Sequence, residues 1–253
     1  MIKFRYITII IIGILILSLI LIVAFSGNNK ENFTNIDNIY MTAEETINFI
    51  RNDSDKYITN MTDYDLIARD SDSPTEYINK IINECYNFTE DHKKRLNVCS
   101  IIAKQYFDNG YKWKFALIGD IYEEGFPHTR TDIIFLSPKI VNYDDDALIT
   151  VLIHESIHIY QRYNKDINNY LKENGYTISR RRDSEPLIRA NPDLDEYIYK
   201  DRNGNELFYK YKSTMPTGIN DIIPAINEHP FEIMAYKISE DYGKLKLSKY
   251  KNI

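Results

Sequence analysis

Val151-Leu152-Ile153-His154-Glu155-Ser156-Ile157-His158-Ile159-Tyr160 is an apolar stretch interrupted by two histidines and a glutamate. Asp144-Asp145-Asp146 precede it and put acidic residues where a helix N-terminus favours them. The reading is therefore one strongly apolar helix from Ala147 to about Tyr163. Residues four apart share a helix face, so His154 and His158 can offer imidazole nitrogens to a single zinc ion. Glu155 is offset by one residue, which sets its carboxylate beside the metal, in place to act as general base. The chain has only five histidines, so this spacing is not expected by chance. Buried polar groups are costly unless partnered, and a metal gives these three a reason to be there. The plainer alternative is a core helix with two hydrogen-bonded histidines.

A zinc site that works on substrate has three protein ligands and an open position. The compact arrangement with a third histidine six residues on is excluded, because Asn164 stands there and Gln161 takes the preceding glycine position. Downstream, the stretch Asn227-Glu228-His229-Pro230-Phe231-Glu232-Ile233-Met234-Ala235-Tyr236 offers candidates. Proline fits the first helical position, so a final helix begins at Pro230 and runs towards Leu247. Glu232 then lies in its first turn and is the first choice for third ligand; Glu228 is the second and His229 the third. The competing reading of Glu232 is a favourable first-turn charge.

Working outward, Thr42 and Glu45 form a capping box for a helix at 42–51, and helices follow at 74–86 and 90–107. Residues 114–120 and 131–136 read as strands. Asn203-Gly204, flanked by alternating Tyr197/Tyr199 and Leu207/Tyr209/Tyr211, predicts a hairpin over 196–211. The order is α+β. Arg180-Arg181-Arg182 reads as a solvated basic turn, with binding of acidic substrates as the alternative.

Residues 7–25 contain no charged residue, long enough as a helix for a transmembrane span and longer than the usual apolar core of a cleaved signal. Lys3 and Arg5 before the span predict a cytosolic N-terminus, with residues 27–253 extracellular, luminal or on a virion surface; secretion after signal cleavage is the alternative. Sequons at Asn32, Asn52, Asn60 and Asn87 fit export and glycosylation, although an asparagine-rich chain yields such triplets by chance. Cys85 and Cys99 either bridge a helical hairpin or remain two buried thiols. The whole chain has 253 residues, 31 Lys+Arg against 37 Asp+Glu, which gives no broad electrostatic footprint for nucleic acid.

The motif His154-Glu155-x-x-His158 with a distant helical glutamate resembles the gluzincin class of zinc metallopeptidases. His128-Thr129, residues 152–162, Asn191-Pro192-Asp193 and residues 228–236 are similar to a poorly characterised branch from large DNA viruses and bacteria. The resemblance covers roughly residues 110–240. It implies a zincin-like domain, placed at 74–253; the apolar run and the composition put a cytosolic tip and signal-anchor at 1–26 and a polar stalk or N-terminal subregion at 27–73 (a candidate pro-segment) ahead of it. It implies Zn²⁺ held by His154, His158 and Glu232, Glu155 as general base, and a peptide substrate lying along an edge strand at 131–136. The usual Asp four residues after the third ligand is replaced by Tyr236, so the partner of the ligating histidines is open, with Asp193 as a guess. Tyr236, His229 and Arg189 are the candidates for stabilising the oxyanion. The reading of another class is a membrane-tethered surface binding or structural module with a non-catalytic zinc site. Hydrolysis of a non-peptide bond would use the same residues.

Overall fold

The computed structural model describes residues 38–223 and 228–250. The predicted membrane span at 7–25 and the sequon at Asn32 lie outside the described residues. Among those described, no helix is long and apolar enough to cross a membrane.

A small mixed sheet sits between two layers. It is built from β1 (Ile39–Tyr40), β2 (Cys85–Tyr86), β3 (Lys114–Ile118), β4 (His128–Arg130) and β5 (Ile133–Leu136). β3 pairs in parallel with β1 and β5, β2 lies antiparallel along the end of β3, and β4 closes the far side antiparallel to β5. Side chains alternate across a strand, and here both sets are apolar. Phe115, Leu117, Ile134 and Leu136 face one layer, while Ala116, Ile118, Ile133 and Phe135 face the other. Both faces are therefore covered, which is why 133–136 is a continuous apolar run.

The first layer holds α4 (Glu90–Tyr106), α6 (Asp145–Tyr163) and α8 (Pro230–Tyr250), with the short α5 (Pro138–Val141) and α7 (Ile167–Asn174) between them in sequence. Leu96 and Ala103 of α4, Leu152, Ile153 and Ile157 of α6 and Ala235 of α8 share a core with Trp113. The second layer comes from the N-terminal part: α1 (Ala43–Asn52), α2 (Asp63–Ile67) and α3 (Pro74–Ile81). Ile50, Ile58, Leu66, Tyr77 and Ile81 bury the other sheet face. From residue 38 onward, the stretch that polar composition sets apart as 27–73 is thus an integral layer, and Asp37–Ile253 forms one compact unit. Thr42 caps α1 in the expected box with Glu45, and Thr62 repeats the device with Asp65.

That polar composition has a physical counterpart in buried ion pairs. Arg69 makes a two-pronged contact with Glu123, its Nε 2.9 Å from Oε1, and both side chains are almost fully enclosed. Burial alone would push the Glu123 carboxyl up, but the Arg69 charge and hydrogen bonds outweigh it and hold the group below 4.5. Its contribution to stability is therefore complete above that value and is lost as pH falls through the lowered one. Arg69→Met leaves Glu123 buried without its cation, and urea unfolding should show a loss of about 3–5 kcal/mol.

The structure corrects several expectations. The helix at 74–86 ends at Ile81 and gives way to a short 3-10 turn and β2. Cys85 therefore lies on a strand packed in the second layer, while Cys99 lies in the first, and both are free thiols with the sheet between them. The Asn203-Gly204 hairpin forms as β7 (Tyr197–Lys200) and β8 (Glu206–Leu207), but its second arm stops there. Lys210–Tyr211 (β9) pairs instead with Ile222–Ile223 (β10). The arginine run is no solvated turn: Thr177–Arg181 is β6, paired with β7, and Arg182 is buried against Asp65.

Candidate metal centre

Asp144 caps α6, its Oδ1 accepting the Ala147 N–H at 2.9 Å, with Asp145 and Asp146 in the first turn. Along this helix His154 and His158 lie one turn apart and point at a common position, their Nε2 atoms 3.1 Å from each other. α8 crosses α6 and brings in Glu232, with Oε2 3.3 Å from His154 Nε2 and 3.7 Å from His158 Nε2. Two nitrogens and one oxygen thus form a triangle in which all ligand atoms lie within 4.8 Å, a group that can hold a metal ion. Ligands about 2 Å from a tetrahedral ion sit roughly 3.3 Å from one another, so the triangle fits such an ion almost without rearrangement.

The surrounding groups set the protonation states. His158 is fully buried, which pushes its pKa down to about 3 and keeps the imidazole neutral. Its Nδ1 lies 2.8 Å from Gln161 Oε1, so the proton belongs on Nδ1 and the Nε2 lone pair faces the ligand position. Gln161 Nε2 in turn donates to the Phe231 carbonyl of α8, tying the two ligand-bearing helices together. Burial would raise the Glu232 carboxyl, yet the imidazoles beside it hold it below its ordinary value; Asn191 Nδ2 donates to its other oxygen at 2.9 Å. For His154 burial works against protonation, but the Glu232 hydrogen bond and the Glu155 charge leave it raised. If Gln161 is replaced by leucine, metal affinity should fall about 10–100-fold in a competition titration, with the fold retained.

Glu155 is 2% exposed and stands beside this triangle, not in it. Burial pushes its pKa up to about 7. Its Oε2 lies 2.8 Å from the Thr129 hydroxyl on β4. The Thr129 N–H donates to Asp193 Oδ1 at 2.6 Å, and burial lifts the Asp193 carboxyl well above its ordinary range.

The other predicted site residues separate clearly. His229 is not brought to the group: its Nδ1 accepts the Phe231 N–H and its Nε2 faces the Tyr197 carbonyl, so it caps α8. Glu228 lines the same cleft but accepts the Tyr209 hydroxyl at 2.6 Å. Asp193 bonds Thr129 and neither histidine, which leaves Gln161 in the supporting role guessed for it. Tyr236 sets its ring 4.6 Å from that of His154, one turn beyond Glu232. Arg189 lines the cleft with its guanidinium over Tyr209. The edge strand is β4, not 131–136: β5 is interior and Thr131, at φ +54°, belongs to the turn.

The group opens into a cleft of about 620 Å³. Phe126, Pro127, Val151, Ile219, Ile222 and Tyr236 line it together with His154 and Glu232. Sequence reasoning missed Gln161, Asn191 and Thr129 as working parts. Only Gln161 carried a signal, its three-residue spacing from His158 on one helix face. Comparison with known proteins finds no matching family model and no significant match among curated proteins or solved structures.

Proposed function

We propose that the chain is a zinc metallopeptidase with a zincin-like domain, anchored to a membrane through residues 7–25. The observation that carries this reading is the pairing of a two-histidine, one-glutamate ligand triangle with a separate buried glutamate, Glu155, beside it. A site built only to hold a metal has no use for that fourth group. A bound zinc ion supplies Lewis acidity, polarising a carbonyl and acidifying water.

The protein's own residues account for the rest. Thr129 holds Oε2 of Glu155, which leaves Oε1 to take a proton from the attacking water and return it to the departing amine. A carboxyl raised to about 7 by burial suits both directions of transfer near neutral pH. Tyr236, against His154 at the cleft mouth, is the hydroxyl best situated to donate to a developing oxyanion. The N–H of Thr129 is already taken by Asp193, so a substrate lies in the cleft without pairing to β4 at that position. The test is a proteome-derived peptide library incubated with the zinc-loaded chain and read by mass spectrometry. Cleavage that a chelator stops and added zinc restores is the expected result; intact peptides with one zinc bound per chain would overturn it.

A further inference from the structure

Arg189 is the one lysine or arginine among the described residues that line the cleft, whose acidic residues are Glu123, Glu155, Asp193, Glu228, Glu232 and Glu240. Three buried arginines elsewhere are matched: Arg69 with Glu123, Arg130 with Asp53, Arg182 with Asp65. Arg162 also has a buried nitrogen, Nη1, without a partner, but it lies outside the cleft lining and its Nη2 donates to the Pro192 carbonyl. Arg189 differs. Its Nη1 donates to the Ile219 carbonyl at 3.3 Å, and its guanidinium stacks 5.0 Å from the centre of the Tyr209 ring. Its Nε is buried with no hydrogen-bond partner. Glu228 turns to the Tyr209 hydroxyl, and no carboxylate of the described residues forms an ion pair with Arg189. A buried guanidinium donor left unpaired is costly, and a planar fork held on an aromatic face is shaped for a two-pronged acceptor.

We propose that Arg189 is the receptor for a carboxylate on the substrate. The shared chemistry is a single carboxylate, from the chain end or from an Asp or Glu side chain. One fork among several acids suits a monoanion; a phosphate dianion would meet more repulsion than attraction. Arg189 precedes by two residues Asn191, whose side chain holds Glu232, so their Cα atoms are at most about 7 Å apart. The carboxylate and the bond cleaved would therefore share one cleft. This placement rests on the peptidase reading; the existence of the subsite does not.

Two arms test it, using the full chain, Arg189→Met and Arg189→Lys. In the first, 3-phenylpropionate and 3-phenylpropionamide are titrated against metal-free and zinc-loaded protein. The native chain should favour the acid by about tenfold or more in both states, Arg189→Met should bind the two alike, and Arg189→Lys should fall between them. Equal affinities for the native chain, or a preference that survives in Arg189→Met, would overturn the proposal. In the second arm, peptides found to be cleaved are compared after C-terminal amidation and, separately, after Glu→Gln or Asp→Asn exchange. Whichever change lowers kcat/KM about tenfold identifies the source of the carboxylate; no effect of either would overturn a role in substrate choice. If no peptide is cleaved yet the acid preference depends on Arg189, the subsite stands and the peptidase reading falls.

Discussion

Glu155→Gln is expected to lower kcat about 10²–10⁴-fold while leaving metal content unchanged. The amide keeps the shape of the side chain and still accepts from the Thr129 hydroxyl, so packing around residue 155 is preserved. What it loses is the capacity to take up a proton. Because Glu155 lies outside the ligand triangle, the number of metal ions per chain should stay at the native value. Single-turnover cleavage measured beside elemental analysis separates the two quantities. A variant that keeps native kcat would remove Glu155 from the chemistry; one that loses both metal and activity would make it a ligand.

His158→Ala should have the other large effect, on the metal itself. Loss of a supporting partner such as Gln161 costs about 10–100-fold in affinity, and loss of a ligand should exceed that. His158 is fully enclosed, so the substitution also opens a hole between α6 and α8. His154→Ala provides the control, because its side chain is 14% exposed and its removal disturbs packing less. Both variants should lose the metal in a competition titration with a chromophoric chelator. Native affinity in a folded His154→Ala would show that the triangle does not hold the ion.

The parts legible in the sequence were those governed by local rules. The apolar run with Asp144–Asp146 ahead of it fixed α6 to within two residues, and Pro230 marked the start of α8. Four-residue spacing on one helix told that His154 and His158 share a face, and the proline argument favoured Glu232 over Glu228 and His229. What escaped were contacts between distant segments and elements too short to show a period. β4 has three residues and β1 and β2 have two each, too few for alternation to be read. Thr129 reaches Glu155 across 26 positions, and Asn191 reaches Glu232 across 41. The polar 38–72 region misled because its buried Asp53 and Asp65 are matched by Arg130 and Arg182 from elsewhere in the chain, and its own Arg69 by Glu123.

X-ray absorption at the zinc edge, on the full chain equilibrated with one equivalent of zinc, tests the central claim most directly. The expected result is one tightly bound ion with two imidazole nitrogens and further light-atom oxygen ligands, and no sulfur in its shell. Sulfur scattering from Cys85 or Cys99, or a folded chain that leaves the zinc free in solution, would contradict the account. In that event α6 would be a core helix with two partnered histidines.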